Sequence, residues 1–235
     1  MKNGVRMGEA EHTTNAVAVT AFGRMGMAVI VLGAMFFLPA GTANYIEAWI
    51  YMAILFLPMT AVLLYYLKKD PELLRRRMQI HEREKEQKRF VWISLLLFLL
   101  AFLLPGFDYR YGWTTVPPAL VAVADLLVLG GYGIFVLVLR ENRYASRIVE
   151  VADGQTVVDT GPYAVVRHPM YSGVIVLYLC SPVALGSFLA VIPAALLIPI
   201  LILRIRNEED VLSRGLPGYD AYKKRVRYRL FPGIW

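Results

Sequence analysis

The residues best suited to bind a polar ligand lie in the last third of the chain, around one apolar run. Tyr163 and His168 precede that run, Tyr171 begins it, and Arg204 and Glu208 follow it. If the run folds back on itself as a hairpin, these charged and hydrogen-bonding groups come together at the open end of the hairpin, which we call its mouth. Clefts with a few convergent polar groups are where proteins generally bind small molecules. The pattern therefore indicates a binding or catalytic site at this mouth.

Simpler interpretations of the same residues stay open at this point. Arg204 and Glu208 are four residues apart, so on a helix they could form an ion pair at the membrane surface. His168 precedes a proline and could be a helix-capping residue, and the two tyrosines could anchor the chain at the membrane interface. The convergence of all these groups, rather than any one of them, favours a functional site.

The apolar run that positions these groups covers residues 171–203, a length of 33 residues. About 20 residues are enough for a helix to cross the hydrocarbon of a bilayer. Ser181-Pro182 and Gly186-Ser187 interrupt the run near its middle. We expect a helical hairpin of two shorter helices, and one long kinked helix is the alternative.

Composition indicates a membrane protein. Of the 235 residues, 57% are apolar and 18% are charged, and the mean hydropathy is +0.51. A soluble domain has about 45–50% apolar and about 25% charged residues. The net charge of +7 comes from basic residues that flank the apolar runs, which argues against nucleic-acid binding. The single cysteine, Cys180, excludes a disulfide within the chain, and the sequence suggests no metal site.

Four further apolar runs have the length of membrane-spanning helices. They are predicted at residues 25–43, 46–67, 90–107 and 113–139. We therefore expect an all-α fold, a polytopic transmembrane helix bundle with about six crossings. The last two crossings are the hairpin, and five crossings are the alternative.

Basic residues predict the orientation of this bundle. Segments 1–24, 68–89, 140–167 and 204–229 contain 24 of the 25 Lys and Arg residues, and only Arg110 lies elsewhere. Six crossings place all four segments on the cytosolic side, as the positive-inside rule requires. We expect a multi-pass integral membrane protein with both termini and the candidate site in the cytosol.

The same pattern predicts three regions. Residues 1–24 form a cytosolic N-terminal tail, and residues 25–139 form four transmembrane helices joined in part by a cytosolic connector at 68–89. Residues 140–235 contain the candidate site, with the hairpin and a cytosolic tail.

The connector carries its own helix signal. Asp70-Pro71-Glu72 supplies an N-cap, a proline at the first helical position and an acid in the first turn. We predict a short surface helix with Leu73, Leu74, Met78 and Ile80 on or near the interface.

One motif in the chain resembles that of a known family. It reads Arg167-His168-Pro169-Met170-Tyr171-Ser172-Gly173, followed by Glu208-Glu209. This order and spacing around an apolar hairpin resembles the isoprenylcysteine carboxyl methyltransferase (ICMT) family and its relatives among phospholipid methyltransferases. The resemblance extends through residues 155–163 and 219–232 and covers roughly residues 142–235. The first four spans match only as hydrophobic segments.

The resemblance implies a membrane enzyme that uses S-adenosylmethionine in a cytosol-facing pocket. In that case residues 140–235 are a cofactor-binding catalytic region. The resemblance assigns ten residues to the cofactor: Gln155, Thr156, Val157, Val158, Tyr163, His168, Pro169, Met170, Tyr171 and Glu208. It assigns Arg204 to the methyl acceptor, as the catalytic and substrate-binding residue.

These implied roles are physically reasonable. The Glu208 carboxylate can bind an amine or hydroxyls, and His168 can donate to a carboxylate. Aromatic faces favour a sulfonium cation, and the Arg204 guanidinium can hold an acceptor carboxylate with two hydrogen bonds. The implied acceptor is a lipophilic small molecule or a prenylated group. Membrane lipid is the other expected partner, and we infer neither nucleic acid nor an obligate protein partner.

Other functions remain as alternatives. A membrane sterol-type reductase would use NADPH and needs basic partners for its 2′-phosphate, which the pocket segments do not obviously provide. A non-enzymatic transporter or assembly factor predicts ionisable groups inside the spans, and Asp125 is the clear candidate. Asp125 could instead hydrogen-bond within the bundle or line an acceptor tunnel. The sequence leaves open whether the acceptor atom belongs to a carboxylate, an amine or a thiol.

Overall fold

The structure, a computed structural model, describes residues 2–77, 85–142, 144, 151 and 154–235. These residues are helical or irregular, and none of them lies in a β-strand. The α-helices are α1 (Lys2–Ala40), α2 (Ile46–Lys69), α3 (Pro71–Arg77), α4 (Lys85–Tyr111), α5 (Pro118–Glu141), α6 (Pro169–Ala184), α7 (Val191–Ala195), α8 (Leu197–Gly215) and α9 (Tyr219–Arg225). A short 3-10 helix, Gly161–Ala164, lies between α5 and α6. The predicted all-α class is confirmed for the described residues.

Four helices are long and apolar enough to cross a membrane. The membrane-length stretches are Asn15–Ala40, Ile46–Lys69, Trp92–Tyr111 and Pro118–Glu141. Helix α6 is also apolar but has 16 residues, which gives a length of about 24 Å. Four long apolar helices indicate a membrane protein.

The predicted spans differ from the helices by a few residues at most ends, and two starts deserve an explanation. Helix α1 begins at Lys2, so it extends well before the start predicted for the first span at residue 25. The fourth span begins at Pro118 rather than residue 113, since Pro117 is the N-cap and residues 113–117 are not helical. Proline is tolerated at a helix start because the first amides have no helical partner.

The surface helix predicted in the connector is α3. The amide of Leu73 donates to Oδ1 of Asp70 at 3.0 Å, which confirms the predicted N-cap. Leu73 is buried with Tyr66 of α2 and Leu139 of α5. Met78 and Ile80, which were also assigned to this helix, lie outside the described residues.

The last apolar run is a hairpin of two helical arms, as predicted. Helix α6 ends at Ala184, Gly186 has a left-handed φ of 75°, and α7 and α8 return toward the start of α6. Ile175 of α6 and Ile205 of α8 pack in one cluster, which excludes the single kinked helix. The break falls at Gly186-Ser187, whereas Pro182 lies inside α6. Helix α8 continues to Gly215, well past the predicted end at residue 203.

The tip of the hairpin is held at the end of the bundle remote from the candidate site. The Ser187 hydroxyl donates to the buried carboxylate of Asp108, near the end of α4. The amide of Thr114 donates to the same carboxylate at 2.7 Å, and the Tyr45 hydroxyl donates to the Leu185 carbonyl. These contacts tie the tip to the ends of α2 and α4.

A close helix crossing sets the position of α6 against α5. A Cβ added to Gly131 would lie 2.9 Å from the carbonyl oxygen of Gly173, and one added to Gly173 would lie 2.8 Å from that of Gly131. Real Cβ atoms essentially never approach so closely, so both positions require glycine at this spacing. Small residues allow helix backbones to pack closely in membranes. The crossing brings the first turn of α6 to the C-terminal half of α5.

Asp125, on α5, is 8% exposed. Its Oδ1 atom is buried and has no hydrogen-bond partner among the described residues. Hydrogen bonding within the bundle therefore does not account for this oxygen. The acceptor-tunnel alternative stays a prediction.

Candidate functional site

The mouth of the hairpin brings together three of the predicted residues in one hydrogen-bonded chain. Nε of Arg204 donates to the Tyr171 hydroxyl at 3.0 Å. That hydroxyl donates to Oε2 of Glu208 at 2.8 Å. Tyr171 therefore joins the two residues that spacing alone suggested as an i,i+4 pair.

The faces of α8 explain why only some of its charged residues take part. Ile205 and Glu209 are four residues apart on the buried face, with exposures of 0% and 3%. Arg204 and Glu208 lie on the adjacent, half-buried face that meets Tyr171. Adjacent helical residues point about 100° apart. Glu208 and Glu209 consequently have different surroundings despite being neighbours.

Glu209 is the centre of a buried ion cluster at the start of α6. Its Oε1 accepts from Nε of Arg167 at 2.7 Å and lies 3.2 Å from Nε2 of His168. Its Oε2 accepts from Nε of Arg229 at 2.8 Å. Nδ1 of His168 lies 3.8 Å from Oε1 of Glu208. The two glutamates thus face different nitrogens of the same imidazole.

These partners keep the Glu209 carboxyl ionised. Burial alone would raise its pKa, but donors from His168, Arg167 and Arg229 outweigh burial and lower the pKa from 4.5 to about 2. Buried charges are tolerated when they are paired and hydrogen-bonded in this way. Glu209 is therefore a fixed negative charge that orients His168.

The end of the chain, residues 226–235, completes this cluster; we call it the C-terminal segment. The amides of Arg167 and His168 donate to the carbonyls of Tyr228 and Arg229 at 2.9 and 2.8 Å. Nη1 of Arg167 donates to the carbonyls of residues 226 and 227, and the Ser172 hydroxyl donates to that of Leu230 at 2.6 Å. The C-terminal segment thus lies directly against the first turn of α6.

Helix α9 links the remaining predicted segments to the site. The Tyr222 hydroxyl donates to the Tyr163 carbonyl at 2.8 Å, and the Asn142 side-chain amide donates to the Tyr163 hydroxyl at 3.0 Å. Val157 packs against the buried cluster of Tyr219 and Tyr222. Val157 and the 3-10 helix are therefore both held against α9.

A tight turn places the 3-10 helix beside the end of α5. Gly161 has a left-handed φ of 56°, and a Cβ there would lie 2.9 Å from Cδ of Glu141. The Thr160 hydroxyl donates to the Glu141 carboxylate. The left-handed backbone conformation favours glycine at this position. Gly161-Pro162 is a residue pair typical of such a turn.

The other predicted cofactor residues have varied surroundings. Pro169 is buried as the first residue of α6, and Met170 is half-buried beside it. Gln155 and Val158 are half-buried, whereas Thr156 is exposed. The structure thus brings His168, Tyr171, Arg204 and Glu208 into direct proximity and connects Tyr163 and Val157 to them through α9. The cofactor and substrate roles of all these residues stay predictions.

Sequence reasoning gave no role to Arg167, Glu209 and Arg229, which build the ion cluster. Arg167 and Glu209 stood in the motif, and their adjacency to His168 and Glu208 was the available signal. Arg229 carried no signal, because its position against Glu209 depends on how the chain end folds back.

Tyr219, the first residue of α9, was also given no role. It is 4% exposed, and its hydroxyl is buried without a hydrogen-bond partner among the described residues. Its ring lies 5.8 Å from that of Tyr222, between centroids. Burial, followed by the charges of Glu209 and Glu208, raises its pKa, so the hydroxyl stays protonated.

The comparison with protein families matches one part of the chain. Residues 122–214 match the isoprenylcysteine carboxyl methyltransferase (ICMT) family, which confirms the resemblance drawn from the motif. The matched part runs from α5 through the hairpin to the end of α8, and it includes His168, Tyr171, Arg204 and Glu208. No curated protein matches the chain. The family match indicates a membrane methyltransferase.

Proposed function

We propose that this protein is an integral membrane methyltransferase that uses S-adenosylmethionine to methylate a lipophilic, isoprenoid or lipid-like acceptor at a carboxylate oxygen. The methyltransferase class rests on the family match over residues 122–214. The observation that carries the proposal further is the Arg204–Tyr171–Glu208 chain. It places a cation suited to an anionic acceptor and a carboxylate suited to a polar cofactor on either side of one phenol.

The residues present fit the proposed cofactor. The Glu208 side chain is 28% exposed at the mouth and can accept hydrogen bonds from an amine or hydroxyls. His168 has a ring nitrogen directed toward Glu208 and is fixed by Glu209 at its other nitrogen. The buried Tyr219 hydroxyl adds a donor whose acceptor is not among the described residues. When bound, S-adenosylmethionine would supply an electrophilic methyl group on a sulfonium.

Arg204 is proposed to bind and orient the acceptor carboxylate. Its Nε is held by the Tyr171 hydroxyl, which fixes the plane of the guanidinium. A guanidinium stays protonated and can hold a carboxylate by two parallel hydrogen bonds. A carboxylate oxygen needs no proton removed before it accepts a methyl group. The site would therefore work by alignment and exclusion of water rather than by a general base.

The location of the site suits two substrates of opposite polarity. Arg204 follows the apolar arm of the hairpin, whereas Glu208 lies one turn further along α8. A lipophilic acceptor could enter sideways between helices, and a polar cofactor could enter from the aqueous side. This division of access supports a membrane-embedded enzyme.

We also propose six crossings, with both termini and the site in the cytosol. The distribution of Lys and Arg supports this orientation. The contacts of Leu185 and Ser187 with the ends of α2 and α4 support a hairpin that reaches the far side of the bundle. Cysteine-accessibility labelling of single-cysteine variants that lack Cys180 tests it, with the cysteine at position 188 in the hairpin tip or at position 220 in α9. Six crossings predict labelling of the two positions from opposite sides, and labelling from the same side would overturn the crossing of the hairpin.

Calorimetric binding to detergent-purified protein tests the cofactor. S-adenosylmethionine and NADPH are titrated separately into the wild type, Glu208→Gln and Asp210→Asn. We expect S-adenosylmethionine to bind the wild type and the exposed control Asp210→Asn equally, and Glu208→Gln at least about tenfold more weakly. Binding of NADPH alone would favour a reductase, and binding of neither would favour a non-enzymatic role.

The acceptor is tested with S-adenosylmethionine labelled in the methyl group. Membranes containing the protein are incubated with an isoprenoid acid, a prenylated cysteine or a lipid amine. Mild alkali releases label from a methyl ester as methanol but leaves methylated amines and thioethers intact. We expect alkali-labile label with the carboxylic acids and its loss in Arg204→Ala. Alkali-stable label alone would overturn carboxyl methylation while keeping the methyltransferase class.

A further inference from the structure

Tyr219 is buried, but its hydroxyl has no hydrogen-bond partner among the described residues. Its side chain is almost fully buried in the cluster of Leu216, Tyr222 and Val226. Among the described residues, its hydroxyl and one oxygen of Asp125 are the buried side-chain atoms without a partner. Buried polar groups in folded proteins nearly always have partners, so each exception requires an explanation. A buried hydroxyl without a partner is a candidate donor to a bound ligand.

The neighbouring tyrosine of α9, Tyr222, does have a hydrogen-bond partner for its hydroxyl. The Tyr222 hydroxyl donates to the Tyr163 carbonyl at 2.8 Å, which ties α9 to the 3-10 helix. Tyr219 lies one turn earlier, and its ring contacts that of Tyr222. The two phenols of one short helix thus have different roles, one structural and one unassigned.

The charges around Tyr219 place it at the candidate site. The carboxylates of Glu209 and Glu208 and the guanidinium of Arg167 all act on its hydroxyl. Val157 of segment 155–158 packs in the same cluster, and its Cγ2 lies 3.9 Å from a Cβ built on Gly218. Tyr219 is therefore near both the motif glutamates of α8 and the upstream segment that the resemblance assigned to the cofactor.

From these contacts we infer that the Tyr219 hydroxyl binds the cofactor, by donating a hydrogen bond to an acceptor atom of S-adenosylmethionine. The inference rests on the proposed function and adds α9 to the residues that hold the cofactor. Because the hydroxyl stays protonated, it keeps the O–H donor that this role requires. Loss of one such hydrogen bond weakens binding without disturbing the fold, since phenylalanine fills the same space.

Calorimetric titration of S-adenosylhomocysteine, together with thermal unfolding of ligand-free protein, tests this inference. Tyr219→Phe should bind about fivefold to tenfold more weakly than the wild type. Its ligand-free Tm should be unchanged or higher, because the variant removes an unpartnered buried hydroxyl. Tyr228→Phe, in which an exposed tyrosine loses its hydroxyl, is the matched control and should change neither value.

Tyr222→Phe shows what the loss of a structural hydroxyl does, for comparison with Tyr219→Phe. It should lower the ligand-free Tm, since the bond to the Tyr163 carbonyl is lost. Equal binding by Tyr219→Phe and the wild type would overturn the inference, and so would a ligand-free Tm that falls as in Tyr222→Phe. A wild-type protein that binds neither S-adenosylmethionine nor its product would overturn the proposed function and this inference together.

Discussion

Glu209→Gln is the substitution that most directly tests the ion cluster under the candidate site. It keeps the size of the side chain but removes the negative charge that faces Arg167, His168 and Arg229. The Arg167 side chain is 5% exposed, so its guanidinium would lose its buried counterion. Removing one partner of a buried ion pair is strongly destabilising, because the other charge stays buried.

The pKa of Glu209 gives the magnitude. A fall from 4.5 to about 2 is a shift of about 2.5 units, or roughly 3 kcal/mol of preference for the ionised form in the folded protein. The sign follows from the direction of the shift. This stabilisation is complete above the unfolded pKa of 4.5 and is lost as pH falls through the folded pKa of about 2.

Thermal unfolding in detergent across pH is the assay. At pH 7 we expect the Tm of Glu209→Gln to be about 6–12 °C below that of the wild type. This follows from a loss of about 3 kcal/mol of stability, since each kcal/mol shifts the Tm by roughly 2–4 °C in a protein of this size. The difference should shrink as pH falls from about 4.5 toward 2, because only the wild type has this carboxylate to protonate. Amide exchange in the C-terminal segment should also accelerate in the variant, since Arg229 loses its anchor.

Glu72→Gln is the control for removing a charge. Glu72 pairs with Arg75 on α3, but both side chains are nearly half exposed, at 45% and 49%. Such surface pairs contribute less than about 1 kcal/mol. If the two variants unfold alike at pH 7, or if the Glu209→Gln difference persists unchanged at pH 2, the cluster does not stabilise the site.

Three further outcomes can be measured on the same preparations. Tyr171→Phe removes the hydroxyl between the two charged groups at the mouth and should lower kcat/KM by about 10- to 100-fold, with unchanged kcat/KM contradicting its positioning role. Gly131→Ala should lower the free energy of unfolding by about 1–3 kcal/mol, because its Cβ would lie 2.9 Å from the Gly173 carbonyl oxygen. A Cβ at Gly130 would have no atom within 4 Å, so Gly130→Ala should change the free energy of unfolding by less than about 0.5 kcal/mol. Equal melting curves for Gly131→Ala and Gly130→Ala would refute the close crossing. Asp108→Ala should lower the free energy of unfolding by about 1–3 kcal/mol, since the donors at the hairpin tip lose their acceptor. A Tm equal to that of the wild type would exclude this anchor.

The class of the protein and most of its helices could be predicted from the sequence, because hydropathy and turn residues act locally. Long apolar runs identified four membrane-length helices, and Gly186 marked the turn of the hairpin. The N-cap at Asp70 was also predictable, since a cap depends on residues three apart. The first helix was predicted to start too late, at residue 25, because the mixed polar residues before residue 16 hide the helix that begins at Lys2.

The candidate site was predicted in part for the same reason. The motif put His168, Tyr171, Arg204 and Glu208 near one mouth, and the hairpin brings them together. The spacing of Arg204 and Glu208 indicated a shared helix face. It did not indicate that a phenol from the opposite arm joins them.

Only the tertiary structure separated the roles of neighbouring residues. Glu208 and Glu209 are adjacent and chemically identical, yet the Glu208 side chain is 28% exposed at the mouth and the Glu209 side chain is buried, at 4%. Which face of α8 meets Arg167 depends on how the hairpin packs, and Arg229 and Tyr219 reach the site only because the chain end folds back onto it. Spacing along a sequence fixes which residues share a face of a helix, whereas burial and partners depend on long-range contacts that spacing does not encode.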